Sequence, residues 1–332
     1  RKSSDPEAFP STLAIKRRGK FLPKSLENKG HILRSIFAIC YAVRLIWNTI
    51  VDLLHSWATV LFLKDTETPL KQGGRVENKL KRFYHRTISL DDIKLIKNAM
   101  NMTINDVLLG VTQAALSRYL NGRYGNADVG SGTSTSDQNN LPDRIRFRAG
   151  VSVNLREEIG IKPVEDMLAN GSKCRWGNYH SVVHFPLSIS LETDPSVHLT
   201  KTKSIMDRNK HSLVASVLYS NQEFIIKIFG HKVAAVLFKR LQSNTTTFFS
   251  NIAGPVEEVS LHGNHIAYIA LSCYGNSQAL WIHFISYGEK MIISMAVDPT
   301  VIPDPHNLCD EMEEALKAIK DTLSCKSDPF VS

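Results

Sequence analysis

The sequence predicts a mixed α/β fold, strands and helices interleaved as in an α+β sandwich. Three observations carry this. Strict alternation over 145–155 puts Ile145, Phe147, Ala149, Val151, Val153 and Leu155 on one face of a half-buried strand. Arg146, Arg148, Gly150, Ser152 and Asn154 fall on the other face. Three β-rich runs at 266–274, 279–287 and 290–297, separated by turn residues, predict an antiparallel meander. Helical periodicity marks 105–120, 195–213, 221–241 and 306–323.

The elements follow in order. Residues 1–30 are polar, basic and broken by Pro6, Pro10 and Pro23, and read as a linker. Residues 32–63 are apolar but interrupted by Arg34, Arg44, Asp52 and His55. That leaves no uncharged run of about 18 residues for a simple membrane span. Arg44, Asn48, Asp52 and His55 share one helical stripe on an otherwise broadly apolar circumference. Two readings stay open: a helix lying in a membrane interface, or one packed on the protein's own core with the stripe facing water. Residues 66–82 are turn-rich and basic, and 85–90 read as a strand. Ser89 with Asp91 and Asp92 starts a short helix to Ala99. Thr103, Asn105 and Asp106 then cap the helix at 105–120. Residues 121–143 read as a surface loop holding no site. Residues 182–191 form a strand that Pro186 confines to an edge or bulge. A strand at 245–252 ends at Gly254-Pro255, and Pro303 and Pro305 precede a closing helix with Leu308, Met312, Leu316, Ile319 and Leu323 inward.

Composition narrows the function. The 332 residues are 43% hydrophobic and 22% charged, a globular balance. A formal charge of +8 favours an anionic partner. No arginine-rich tract or zinc-type Cys/His spacing points to nucleic acid. The cysteines are five and scattered, as in a reducing compartment rather than a disulfide scaffold. The chain opens on Arg1 with no apolar signal-peptide core, and a partial chain is the expectation.

No nucleophile elbow, phosphate loop or paired carboxylates occur. His180 and His184 are four apart, a ligand spacing on a helix, but Val182, Val183 and Phe185 make the segment a strand. No metal site is expected. His262 and His265 sit in a Gly-Asn turn at the surface, whereas His283 is partly buried by pattern and is a core histidine or lines a pocket. The residues alone give no complete catalytic constellation.

Six segments in order nevertheless resemble the plant wax ester synthase/diacylglycerol acyltransferase family. They are Phe62 to Lys71, Ser89 to Lys94, Asn105 to Ala114, Val153-Asn154-Leu155-Arg156, Ser250-Asn251-Ile252-Ala253-Gly254-Pro255, and Val297 to Pro305. The resemblance covers nearly the whole chain and implies a chloramphenicol-acetyltransferase-like fold. In that superfamily, which includes peptide-synthetase condensation domains, two similar α/β domains flank a tunnel. It implies division into a first-domain remnant and crossover at 1–84 and a C-terminal acyltransferase domain at 85–332.

The implied chemistry is attack of an alcohol on an acyl-CoA thioester, with the second His of a His-His-x-x-x-Asp-Gly motif as general base. An imidazole suits that step because it titrates near working pH. None of the 12 histidines here is followed by another. The resemblance places the motif just before the segment that Arg1 to Pro6 resembles, so the expectation is that it was cut away and the isolated chain is inactive. The resemblance implies acyl-CoA as co-substrate with no cofactor, a long-chain alcohol or diacylglycerol as acceptor, a membrane surface as partner, and residence at the endoplasmic reticulum or plasma membrane. Asn105, Asp106, Asn154, Arg156, Asn251 and Gly254 are the expected substrate-binding residues. Asn105 and Asp106 would cap a tunnel-facing helix. Asn154 would line the tunnel, and Arg156 would pair with the absent motif's Asp. Gly254 permits a close backbone approach, to a ligand or within a turn. The rival reading is a non-catalytic, membrane-associated lipid-binding module of the same fold.

Overall fold

The computed structural model describes residues 31–71, 80–127, 138–156, 167–169 and 177–327. The expected linker at 1–30, the Gly73-Gly74 turn and Glu157-Glu158 lie outside them. The elements run α1 (His31–Leu61), β1 (Arg82–Ser89), α2 (Leu90–Ala99), α3 (Ile104–Ala127), β2 (Arg148–Asn154), β3 (His180–Pro186), α4 (Ser196–Asn209), α5 (Val214–Ser243), β4 (Thr247–Ile252), β5 (Ser260–Leu261), β6 (Asn264–His265), β7 (Leu280–Tyr287), β8 (Lys290–Val297) and α6 (Pro305–Ser327). Among the described residues one sheet has six strands in the order β1-β8-β7-β4-β2-β3. The central β7, β4 and β2 are parallel, and the outer pairs are antiparallel. The fold is thus mixed α/β.

The central strands β4, β7 and β8 are buried on both faces, whereas the edge strand β1 is largely exposed. On the first face, Ala149, Val151, Phe249, Ile282, Phe284, Ile293 and Met295 join residues of α2, α3, α4 and α6 in one core. This face is the apolar half of the alternation predicted for β2. The polar half is not solvated: Arg148 and Gly150 are also buried. Gly150 leaves room there, since a Cβ would sit 3.1 Å from Val182 and 3.2 Å from Phe248. β3 is the edge strand that Pro186 demanded, and it ends at that proline.

Residues 266–274 are not a strand. Parallel neighbours need a chain that returns from one end of the sheet to the other, and residues 253–279 make that return between β4 and β7. They pass over the second face, where Ile266 and Ile269 pack on Ile285, Tyr287 and Ile292. The Tyr287 hydroxyl donates to the Ile266 carbonyl at 2.6 Å and accepts the Val259 N–H at 2.8 Å, tying down backbone groups a strand ladder would have used. The hairpin β7–β8 finds its third partner in β1, far earlier in the chain.

Helix α3 extends to Ala127, into the stretch expected as loop. Arg123 anchors it by donating to the Val301 carbonyl and the Tyr119 hydroxyl. Helix α5 starts at Val214 rather than 221 and is kinked at Gly230, whose φ of 80° is costly for any residue with a Cβ.

On helix α1 the polar stripe divides: Arg44 and His55 face water as expected of a packed helix, but Asn48 and Asp52 turn inward. Asn48 donates to the His211 carbonyl at 3.0 Å, Thr49 accepts the Leu213 N–H at 2.9 Å, and Asp52 pairs with Arg208 at 2.7 Å. These polar groups face the corner between α4 and α5, while Arg44 and His55 remain exposed. The outward face carries Ile46, Trp47, Leu54 and Trp57, and α5 adds Phe224, Phe229 and Val236.

The segment after α1 is fixed by a buried ion pair. Arg148 Nε donates to Asp65 Oδ1 at 2.6 Å and the Arg148 backbone N–H to Asp65 Oδ2 at 2.9 Å. The guanidinium also donates to Thr59 Oγ1, to the Leu63 carbonyl and to the Asn244 carbonyl. Asp65 accepts a further bond from Thr246 Oγ1 at 2.8 Å. Removing one partner strands a buried charge, so Asp65→Ala should lower unfolding free energy by about 3–5 kcal/mol. Urea denaturation reads this, and a loss below about 1 kcal/mol would contradict the buried pair.

Candidate functional site

The six expected site residues stand at the start of α3 and at or just after the ends of the parallel strands β2 and β4. Such carboxyl ends are where α/β sheets place ligands. The sequence reading is refined at α3. Thr103 is the cap: its Oγ1 accepts the Asp106 N–H at 3.3 Å, and the Asp106 carboxylate accepts the Thr103 N–H at 2.9 Å. This reciprocal pair is a capping box with Asp in the third helical position. Asp106 is fully buried, and its Oδ1 has no hydrogen-bond partner among the described residues. Burial raises the carboxyl's pKa, partly offset by the Thr103 hydrogen bonds.

Asn105 does not cap. Its Oδ1 accepts from Asn251 Nδ2 at 2.7 Å, a buried bond joining the start of α3 to the end of β4. This is a contact between expected site residues far apart in the chain. Asn154 closes β2 and accepts the Arg156 N–H at 3.0 Å. The Arg156 guanidinium donates to the Gly177 carbonyl. Gly254 donates its N–H to Ser286 Oγ at 3.1 Å, and a Cβ there would collide with the Ser286 carbonyl oxygen. The close approach that needs glycine is therefore to β7.

The rest of the Asn105 to Ala114 segment is a packing ridge. Asp106, Gly110, Gln113 and Ser117 recur at helical spacing along α3. A Cβ on Gly110 would lie 3.2 Å from Leu199 Cα, so glycine sets how closely α3 and α4 cross. Gln113 bonds His198 Nδ1 at 3.0 Å and accepts the Ser188 N–H at 2.9 Å. Ser117 accepts the Ser190 N–H. The Asp65–Arg148 pair has no signature in sequence spacing, because its partners meet only across the sheet, whereas His283, expected from the pattern to be partly buried, is buried.

Three histidines are held neutral by burial. Desolvation lowers His198 and His283 to about 4 and, helped by Arg148 and His55, His184 to about 3. His184 is only half-buried as a residue, but both ring nitrogens are fully buried and lack partners among the described residues.

Comparison with known proteins gives a consistent set of relatives. The WS/DGAT C-terminal domain family matches residues 176–320. Wax ester synthase/diacylglycerol acyltransferase 10 of Arabidopsis thaliana is 68% identical over 328 residues, 99% of this chain and 67% of that protein. Wax ester synthase/diacylglycerol acyltransferase 7 of the same plant is 56% identical, over 97% of this chain and 67% of that protein. The chain thus spans about two thirds of the length of these relatives. Among solved structures, the wax ester synthase/diacylglycerol acyltransferase from Marinobacter aquaeolei VT8 aligns at a TM-score of 0.48 and 17% identity, covering 81% of this chain and 55% of that one.

The buried imidazoles predict the acid side of the stability profile. Their folded pKa values lie below the ordinary 6.5. Between the two limits the unfolded chain binds more protons, so stability falls as pH drops below about 6.5 and goes on falling to about 4. Urea denaturation from about pH 7.5 down to about pH 5 should show this, each histidine contributing up to about 1.4 kcal/mol per pH unit. A flat profile would show that these rings are solvated.

Proposed function

The chain belongs to the wax ester synthase/diacylglycerol acyltransferase family, and from that premise we propose that it forms the larger part of an acyl-CoA-dependent O-acyltransferase. The reaction is transfer of a fatty acyl group from the thioester to a long-chain alcohol or to diacylglycerol, giving a wax ester or a triacylglycerol. Identity of 68% across 99% of the chain carries this reading. The formal charge of +8 suits the phosphates of coenzyme A. No bound cofactor is required, since the acyl-CoA is itself consumed.

The alcohol must lose its proton as it attacks the thioester carbonyl, a task for a hydrogen-bonded imidazole. We assign that base to residues outside these 332, because no His-His pair occurs in the sequence. The capped α3 and the strand ends bearing Asn154, Arg156 and Asn251 would form the wall facing it.

The 332-residue chain should form no wax ester or triacylglycerol from acyl-CoA with either acceptor. A polypeptide extended at its N-terminus to the length of the Arabidopsis relatives should form one or both. Turnover by the shorter chain would overturn the assignment of the base. No turnover by the extended one with any alcohol or diacylglycerol would favour the lipid-binding module.

The acceptors dissolve in membranes, and the outward faces of α1 and α5 support residence on one, at the endoplasmic reticulum or plasma membrane. Exposed Trp47, Trp57, Phe224 and Phe229 are accompanied by exposed Arg44, Lys227, Lys232 and Lys239, the pattern of an interfacial amphipathic surface. The chain should float with vesicles containing anionic phospholipid, and Trp47→Glu with Phe229→Glu should weaken this at least about tenfold. Flotation unaffected by the double change would remove the surface from consideration.

A further inference from the structure

Helix α5 is tied to α1 at both ends. The Leu213 N–H, just before α5, donates to Thr49 Oγ1 at 2.9 Å, and Asn244 Nδ2, just after it, donates to the Thr59 carbonyl at 2.6 Å. Thr49 and Thr59 lie in the one helix α1, so at about 1.5 Å per residue the two ties are about 15 Å apart. Between them α5 has 30 residues, about 45 Å of helix. No straight rod of that length joins those points. The bend comes at Gly230, where φ is 80° and ψ is 171°, a region open in practice only to glycine. A Cβ there would meet nothing within 4 Å, so the backbone angle rather than space requires the glycine.

The two arms, Val214 to Phe229 and His231 to Ser243, are about 24 and 20 Å long. Over a base of about 15 Å they form a V whose apex stands about 20 Å from α1. The first arm starts against the fold. Val214 and Ala215 are buried, and Tyr219 packs edge-on to Tyr179 with centroids 4.7 Å apart. Beyond it the arms are largely exposed. Phe224, Ile228 and Phe229 stand open on the way out, Val233, Val236 and Phe238 on the way back. Exposed Lys227, Lys232 and Lys239 alternate with them, and no Asp or Glu occurs between Phe224 and Ser243.

We propose that the Gly230 elbow is a wedge that enters the acyl-chain layer of an anionic bilayer, with α1 no deeper than the headgroups. An apolar tip ringed by cations and free of carboxylates matches acyl chains below and anionic phosphates above. A protein groove deep enough to take the tip would strip water from the lysines, whereas a bilayer lets their ammonium groups stay at the headgroups. The wedge rests on the reading that the chain resides on a membrane and deepens it: the elbow of α5, rather than the broad face of α1, supplies most of the hold.

The test puts an NBD fluorophore on the 332-residue chain at Phe229→Cys or at Trp57→Cys, with Cys40, Cys174, Cys273 and Cys325 changed to serine. Vesicles of phosphatidylcholine and phosphatidylserine carry a nitroxide either on the headgroup or midway along the acyl chain. The acyl-chain nitroxide should quench the Phe229 probe at least about threefold more than the headgroup nitroxide does, and the order should reverse for Trp57. Without any label, Phe229→Asp should weaken flotation about tenfold and Trp57→Asp no more than about threefold. Both side chains are exposed, so neither change touches the core. A chain that floats with Phe229 no deeper than Trp57, or with equal losses from the two Asp variants, would overturn the wedge and leave membrane residence standing. A chain that does not float would overturn both. A Phe229 probe already shielded without lipid, in a species of doubled mass on sedimentation, would assign the elbow to a second copy and overturn the wedge.

Discussion

The buried pair of Asp65 and Arg148 is the constraint on which the arrangement depends. One guanidinium reaches the end of α1 at Thr59, the segment behind it at Leu63, and the turn between α5 and β4 at Asn244. One carboxylate gathers the Arg148 backbone and Thr246 in return. Two charges taken out of water are tolerated only when paired and fully hydrogen-bonded, so the first turn of β2 and the segments around it must meet in one geometry. That geometry leaves α1 lying along α5 and its apolar side turned outward.

The parallel centre of the sheet has two consequences. It sets β2 and β4 ending at the same edge, where Asn251 meets Asn105 at the start of α3. It also forces the chain to cross the sheet between β4 and β7, and the crossover lies over the face opposite the helices. The edge and the covered face are therefore products of one topological fact.

The outward apolar faces of α1 and α5 follow from local satisfaction of polar groups. Asn48, Thr49 and Asp52 find better partners at the α4–α5 corner than water would offer, because those partners include a carbonyl, an N–H and a guanidinium in fixed positions. The helix is thereby turned so that Asn48 and Asp52, half of what looks like a solvent stripe in one dimension, become part of an internal seam.

By itself the sequence determined the mixed α/β class, the span of most helices, the edge position of β3 and the cap at Thr103 to Asp106. Each of these depends on residues close in the chain: a period of two or 3.6, a proline lacking its N–H, a side chain reaching back three positions. Its six ordered segments also pointed to the family. Only the tertiary structure decided the rest. Whether 266–274 becomes a strand depends on the direction of β4 and β7, which no local period encodes. The partners of Arg148, Asn105 and Gly254 lie 83, 146 and 32 positions away, and His283 acquires its cross-strand neighbours from β4 and β8. Burial, and with it the ionisation of the histidines and the facing of α1, is a property of the assembled chain, since it is set by what lies opposite a residue rather than by what precedes it.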